Sequence, residues 1–218
     1  MAYDLEEQEQ LDNLKAIWKK YGNMATWGLI VALVAYAGWT AWTSRQNTQT
    51  LQASQLYEEM QKLVVAKDNA KVQAVTEDLK AKFASTSYAP MAALVAAKSA
   101  FDANDLKAAK SQLQWVADTS KADEYKALAR IRLAGIALDE KAYDEALKQL
   151  SGTFPAQFDA DVLDAKGDVY VAQNKIEDAR TAYKSALEKM ADKSPGRQAL
   201  QMKLDVIGGV ADTKVVSK

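Results

Sequence analysis

Apolar residues crowd together once near the start of the chain and then recur at helical intervals to near its end. Residues 24–43 read MATWGLIVALVAYAGWTAWT, twenty positions without a charge. A helix of that length spans roughly 30 Å, the thickness of a bilayer's hydrocarbon core. Trp18, Tyr21 and Trp27 lie near one end of the run, and Tyr36, Trp39 and Trp42 near the other. Such amphipathic rings favour the two membrane interfaces. The pattern predicts a single transmembrane helix over 24–43, in contact with lipid, after an N-terminal tail over 1–23. A cleaved signal peptide is the rival reading, because Ala35-Tyr36-Ala37 fits a small-x-small cleavage site. The acids Asp4, Glu6, Glu7, Glu9 and Asp12 ahead of the run, and its continuation through Trp39 and Trp42, favour an uncleaved anchor. Lys15, Lys19 and Lys20 precede the span closely and only Arg45 follows it closely, so the N-terminus is expected in the cytoplasm. In a bacterial inner membrane the rest of the chain would then be periplasmic.

Beyond Arg45 the apolar spacing is that of amphipathic helices, and no stretch alternates as a strand would. Leu51, Leu56, Met60 and Leu63 open one helix; Val72, Val75, Leu79 and Phe83 form another. Breaks fall at Asp68-Asn69, 85–87, Asn104-Asp105, Thr119-Ser120, 152–155 and 194–196. The helix pairs repeat near the 34-residue period of a tetratricopeptide repeat. The clearest unit carries Leu163, Gly167 and Tyr170, then Ile176, Ala179, Tyr183, Ala186 and Leu187. Gly167 and Ala179 are small where the two helices would cross, and Tyr183 and Leu187 would fill the space around them. Leu133, Ala134, Ala137, Tyr143, Ala146 and Leu150 repeat the frame, as do Ala97, Ala100, Leu106, Ala109 and Leu113. The 37 residues from Ala109 to Ala146 call for an extended turn around 119–123. Residues 48–84 form a pair that departs from the pattern, and Leu200, Leu204 and Ile207 suggest a closing helix. The expected fold is therefore all-α: one transmembrane helix, then a tetratricopeptide-like α-solenoid over 44–207, then a flexible tail over 208–218.

Charge and composition narrow the function. From residue 44 onward there are 24 acidic and 25 basic residues, a balance that leaves no electrostatic footprint for nucleic acid. The chain has no Cys and no His, which excludes thiol nucleophiles, imidazole bases and nearly all zinc chemistry. No phosphate loop, dinucleotide glycine pattern or EF-hand loop is present. Neither a cofactor nor a small-molecule substrate is expected, and the chain reads as a non-enzyme.

What remains is a binding surface. In the repeat frame Met91, Leu94 and Phe101 of one helix, and Leu128, Ile131 and Leu138 of another, fall on the inner face of the stack. They would line a groove for a peptide or a partner's helix, or else be covered by a neighbouring helix of the same chain. Asp161, Asp164 and Asp168, spaced three and four apart, share one face of the next inner helix. They could receive a basic partner segment or a divalent cation, or be acids favoured near a helix N-terminus.

The order of features, more than any one motif, carries a family resemblance. The segment from Asp12 to Gly38, with its Trp18-Lys19-Lys20-Tyr21-Gly22 juncture, leads through the span into a degenerate repeat domain. The chain resembles the YfgM family, ancillary subunits of the bacterial SecYEG translocon. The resemblance implies a single-pass inner-membrane protein with a periplasmic repeat domain, associated with SecYEG and with a PpiD-like periplasmic chaperone, and assisting newly translocated proteins. It implies no catalytic residue. A different membrane-tethered repeat adaptor, serving envelope assembly or cell division, would share the same fold.

Overall fold

The computed structural model describes residues 2–208 and divides the chain into two compact units, Met1–Gln52 and Ala53–Lys218. The tail expected to be flexible lies, apart from Gly208, outside the described residues. Every element among the described residues is helical. Helix α1 runs Ala2–Val65, and α2 (Asn69–Phe83), α3 (Tyr88–Asp102), α4 (Leu106–Thr119), α5 (Asp123–Asp139) and α6 (Tyr143–Gln149) follow. A 3-10 turn at Ala156–Phe158 leads into α7 (Asp159–Ala172), α8 (Ile176–Lys189) and α9 (Arg197–Val206).

In the first unit, among the described residues no single helix is long and apolar enough to cross a membrane. The segments Asn13–Met24 and Thr26–Val65 of α1 meet that requirement only together, across a 44° bend. Beside the bend, Thr26 Oγ1 donates to the Gly22 carbonyl at 2.8 Å.

The second unit is a stack of helix pairs built on one recurring turn. Each pair closes at a non-glycine residue in the left-handed region: Lys67 (φ 56°), Asn104 (φ 62°), Lys141 (φ 61°) and Asn174 (φ 59°). At each, the following residue's N–H reaches back five positions: Asp68 to Leu63, Asp105 to Ala100, Ala142 to Ala137 and Lys175 to Tyr170, all at 2.8–3.0 Å. This is the Schellman arrangement, which satisfies carbonyls that a helix end leaves open. Asp68 and Asp105 then cap the next helix by accepting from the Lys71 and Ala108 N–H groups. The turns lie 37, 37 and 33 residues apart.

The region 48–84 therefore keeps the register, although its sequence departs from the pattern. Five residues past each turn stand Val72, Ala109, Ala146 and Ala179, all fully buried. The crossing contact explains the departure. Gly167 faces Tyr183 so closely that a Cβ would fall well inside contact distance of the ring. At the equivalent positions Ala134 and Leu150 share one core, and Ala97 and Leu113 another. In the first pair the sizes are exchanged: Met60 is the large partner and Thr76 the small one, with Thr76 Oγ1 3.4 Å from Met60 Sδ. The connection between α4 and α5 is only three residues, 120–122, tied by Ser120 Oγ to the Ala122 N–H at 3.2 Å. The long interval is taken up by the 17-residue α5 rather than by an extended turn.

No single core runs through the stack. One apolar cluster joins the end of α1 to α2 and α3, and a second joins α3, α4 and α5. A third joins α5, α6 and α7, and the last joins α7 and α8 to Leu200 and Leu204 of α9. Each pair is thus covered by the first helix of the next, and α9 takes that place at the end.

Gly167→Ala is expected to destabilise the protein by about 1–3 kcal/mol despite alanine's better helix propensity, because the ring has nowhere to go. Adding Tyr183→Leu, which copies the Ala134–Leu150 contact, should recover at least half of that loss in a denaturant-based double-mutant cycle. Lys141→Gly should stabilise by about 0.5–1 kcal/mol, read as a raised urea midpoint at unchanged slope, since glycine accepts positive φ without steric cost.

Candidate partner-binding groove

The first helices of successive pairs, α3, α5 and α7, turn one face inward, and three open hollows follow that face. The first, about 640 Å³, is lined by Tyr57, Val64, Met91, Leu94, Val95 and Arg132 among others. The second, about 330 Å³, holds Phe101, Ile136 and Asp139 and shares Lys98, Asp102 and Arg132 with the first. The third, about 450 Å³, is lined by Leu128, Ile131, Leu138, Phe158, Asp161, Asp164 and Asp168. Gly135 belongs to both the second and the third. Shared walls make the hollows one groove, and all nine residues expected on the inner face lie along it.

They do not lie there equally. Leu94 is buried, and Met91, Leu128, Ile131 and Leu138 are partly buried. Phe101 is 43% exposed, which makes it the large aromatic most open to a ligand in the groove. Polar and small residues not anticipated from the spacing also line the surface. Arg132 Nη1 donates to the Leu94 carbonyl at 3.3 Å and sits where the first two hollows meet. Lys98 pairs with Asp102 at 2.8 Å on the rim. Gly135 is exposed, and a Cβ built on it would meet nothing within 4 Å. A glycine inside a helix costs about 1 kcal/mol against alanine, so an uncapped Gly135 in mid-helix was the signal that could have drawn notice.

The aspartates at the other end are differently placed from one another. Lys203 of α9 reaches between two of them, 2.8 Å from Asp164 Oδ1 and 2.8 Å from Asp168 Oδ2. Tyr183 donates its phenol to Asp168 Oδ1 at 2.7 Å, and the Lys203 ammonium lies 5.7 Å from the Tyr183 ring centroid. Asp161 stays exposed at the groove edge. Thus the basic group that meets this stripe comes from the chain's own closing helix. No cluster of His, Cys, Asp and Glu suited to a metal ion occurs among the described residues.

The environment sets the protonation of this network. Burial raises the Asp164 carboxyl above the usual range; the bonds from Lys203 oppose that, and the charges of Asp168 and Asp161 add to it. Burial disfavours the Lys203 charge, but its hydrogen bonds to Asp164 and Asp168 outweigh that and raise its pKa. Burial, then the bond to Asp168, pushes the Tyr183 phenol far up, so it remains a donor.

These shifts give a pH signature. The Lys203 contribution is complete below about pH 10.4, the unfolded lysine value, and is lost as pH rises through the higher folded one. In Lys203→Met, Asp164 and Asp168 face each other without a cation. The variant should lose about 1–2 kcal/mol at pH 7, a figure discounted because each group is about a third exposed. That loss should shrink as pH falls through the carboxylate range and Asp164 takes up a proton. Urea titrations of both proteins at pH 4, 7 and 10 measure it.

The arrangement offers apolar contact, an open aromatic ring and fixed charges at both ends, and it brings together no nucleophile with a base. The tetratricopeptide repeat-like domain family matches residues 15–209. A protein of Neisseria gonorrhoeae named ancillary SecYEG translocon subunit is 37% identical over 206 residues, covering 94% of this chain and 99% of that one. Proteins of the same name from Escherichia coli, 29% identical over 91% of this chain and 95% of that one, and Haemophilus influenzae, 28% identical over 88% and 97%, are also similar. Matched over nearly its whole length by these relatives and carrying the repeat-like domain over residues 15–209, the chain belongs to the YfgM family.

Proposed function

We propose that this protein is a non-catalytic, membrane-anchored docking subunit of the Sec translocon, which holds its repeat stack beside the channel exit and assists newly translocated proteins. The observation that carries this reading is its end-to-end similarity to proteins named ancillary SecYEG translocon subunit. The first unit supports the anchor. Trp27, Leu29, Val31, Leu33, Val34, Tyr36, Trp39 and Trp42 are all exposed on every side of the helix. A helix apolar all round needs an apolar surrounding, and the 24–43 run finds it in lipid. The lysines at 15, 19 and 20 favour a cytoplasmic N-terminus and a periplasmic repeat unit in the bacterial inner membrane.

Anchoring turns a weak groove into an effective one, since partners held in the same membrane meet at high local concentration. In this reading the groove on α3, α5 and α7 takes an apolar segment of a PpiD-like periplasmic chaperone or of an emerging client. Phe101 and Leu138 are the contact residues and Asp161 an outlying charge.

A photocrosslinking residue placed at Phe101 or Leu138 in the full chain, in native membranes, should capture a translocon subunit, a periplasmic chaperone or a translocating chain. Gly135→Leu fills the junction of two hollows without touching the fold, and should cut that capture by about tenfold, the effect of losing about 1.4 kcal/mol. Unchanged capture in a variant of undiminished thermal stability would move the binding surface away from the groove. Recovery of no translocon or chaperone component at normal expression would overturn the reading as a whole.

A further inference from the structure

The helix ahead of the span presents a second, smaller apolar face. Leu11, Leu14, Trp18 and Tyr21 are 53%, 65%, 68% and 51% exposed. At 100° per residue they fall within about 80° of arc, one continuous stripe. Lys15 and Lys19 lie to one side of the stripe and Lys20 to the other. The Trp18 ring folds along the helix over Gly22, where a Cβ would come within 3.1 Å of it. The Lys20 ammonium lies 5.3 Å from the Tyr21 ring centroid.

We infer that residues 11–23 form an interfacial helix that lies on the cytoplasmic surface of the bilayer, its Leu11–Leu14–Trp18–Tyr21 stripe turned toward the acyl boundary and its lysines on anionic lipid headgroups. The inference rests on the proposal that residues 24–43 are embedded. The bend favours this over a helix that simply continues into water. A straight extension would carry Leu14 and Leu11 about 15 Å and 20 Å past Met24, well beyond a headgroup layer of about 5–8 Å. The chain does not continue straight, because the axis bends by 44° between Asn13–Met24 and Thr26–Val65. Added to an ordinary span tilt of about 20° in the same direction, the bend lays the segment about 64° from the membrane normal. Leu14 and Leu11 then rise about 7 Å and 9 Å, to the outer part of the headgroup layer, with Trp18 and Tyr21 nearer the acyl boundary. An apolar stripe flanked by lysines matches an anionic lipid surface in both polarity and charge.

The chain has no cysteine, so single labels can be placed in the full protein without background. Nitroxides at Leu11→Cys, Leu14→Cys and Tyr21→Cys, at Asn13→Cys and Ala16→Cys on the opposite face, and at Leu33→Cys in the span are compared in bilayers of neutral and anionic phospholipid at about 3:1. Stripe labels should be about fivefold less accessible than the opposite face to an aqueous nickel chelate, and Lys15→Glu/Lys19→Glu/Lys20→Glu should bring the ratio close to one. Equal accessibility all round the segment, with Leu33→Cys shielded, would overturn the interfacial helix alone. Stripe protection that the charge reversal leaves unchanged would overturn the assignment to headgroups. Protection seen only when the translocon is added would assign the face to a protein partner instead. A Leu33→Cys label open to the chelate would overturn the anchor, and with it the premise.

Discussion

At every helix crossing in the stack, one side gives up the volume that the other fills. Gly167 yields to Tyr183, Ala134 to Leu150 and Ala97 to Leu113, while Met60 takes what Thr76 leaves. Interiors pack at crystal-like density, so the sum at each crossing is held even when its division is not. Close approach at the crossing lets the turn close in three residues, and the closed turn sets which face of each first helix points inward. The groove is therefore a by-product of packing one layer below it. Its exposed members, such as Phe101, Gly135 and Asp161, could vary without loss of the fold, whereas Leu94, Asp164 and Asp168 serve the packing as well as the surface.

This constraint also explains what could be read in the sequence. Small–large pairs at a 33- to 37-residue spacing were visible in three of the four helix pairs, and from them the inner-face residues from Met91 to Asp168 could be placed before any coordinates. The first pair was opaque because Met60 and Thr76 exchange roles, and a pattern defined by residue size at fixed positions does not register the swap. The turns at Lys67 and Lys141 were opaque for a different reason. Lysine gives no hint of positive φ, whereas Asn104 and Asn174 do. Gly135 and Arg132 shape the groove through what they leave open and where they reach, and neither property has a period. The reach of Lys203 from α9 back to α7 spans 35 residues to Asp168 and has no local signal at all.

Along the groove the physical character changes. The end near α1 and α3 is apolar with Arg132 and the Lys98–Asp102 pair at its rim, and the end at α7 is apolar with aspartates. Lys203 and Tyr183 hold two of those aspartates in the folded core, so only Asp161 keeps its charge free of an ion pair with α9. What looks from the sequence like one acidic stripe thus serves two purposes. Its inner members fasten the closing helix, and its outer member colours the surface that a partner would meet.

The closing helix has a consequence for the protein's behaviour in a crowded compartment. Leu200 and Leu204 of α9, ten residues long, cover the terminal cluster that includes Tyr183 and Leu187. That cluster is the same kind of surface which, one unit earlier, receives another helix pair. Were α9 to lift, the stack would end in an adhesive face matched to a helix hairpin, and copies of the chain could add head to tail without a symmetry that closes the chain of contacts. That face of the described stack is thus sealed by two leucines and a lysine.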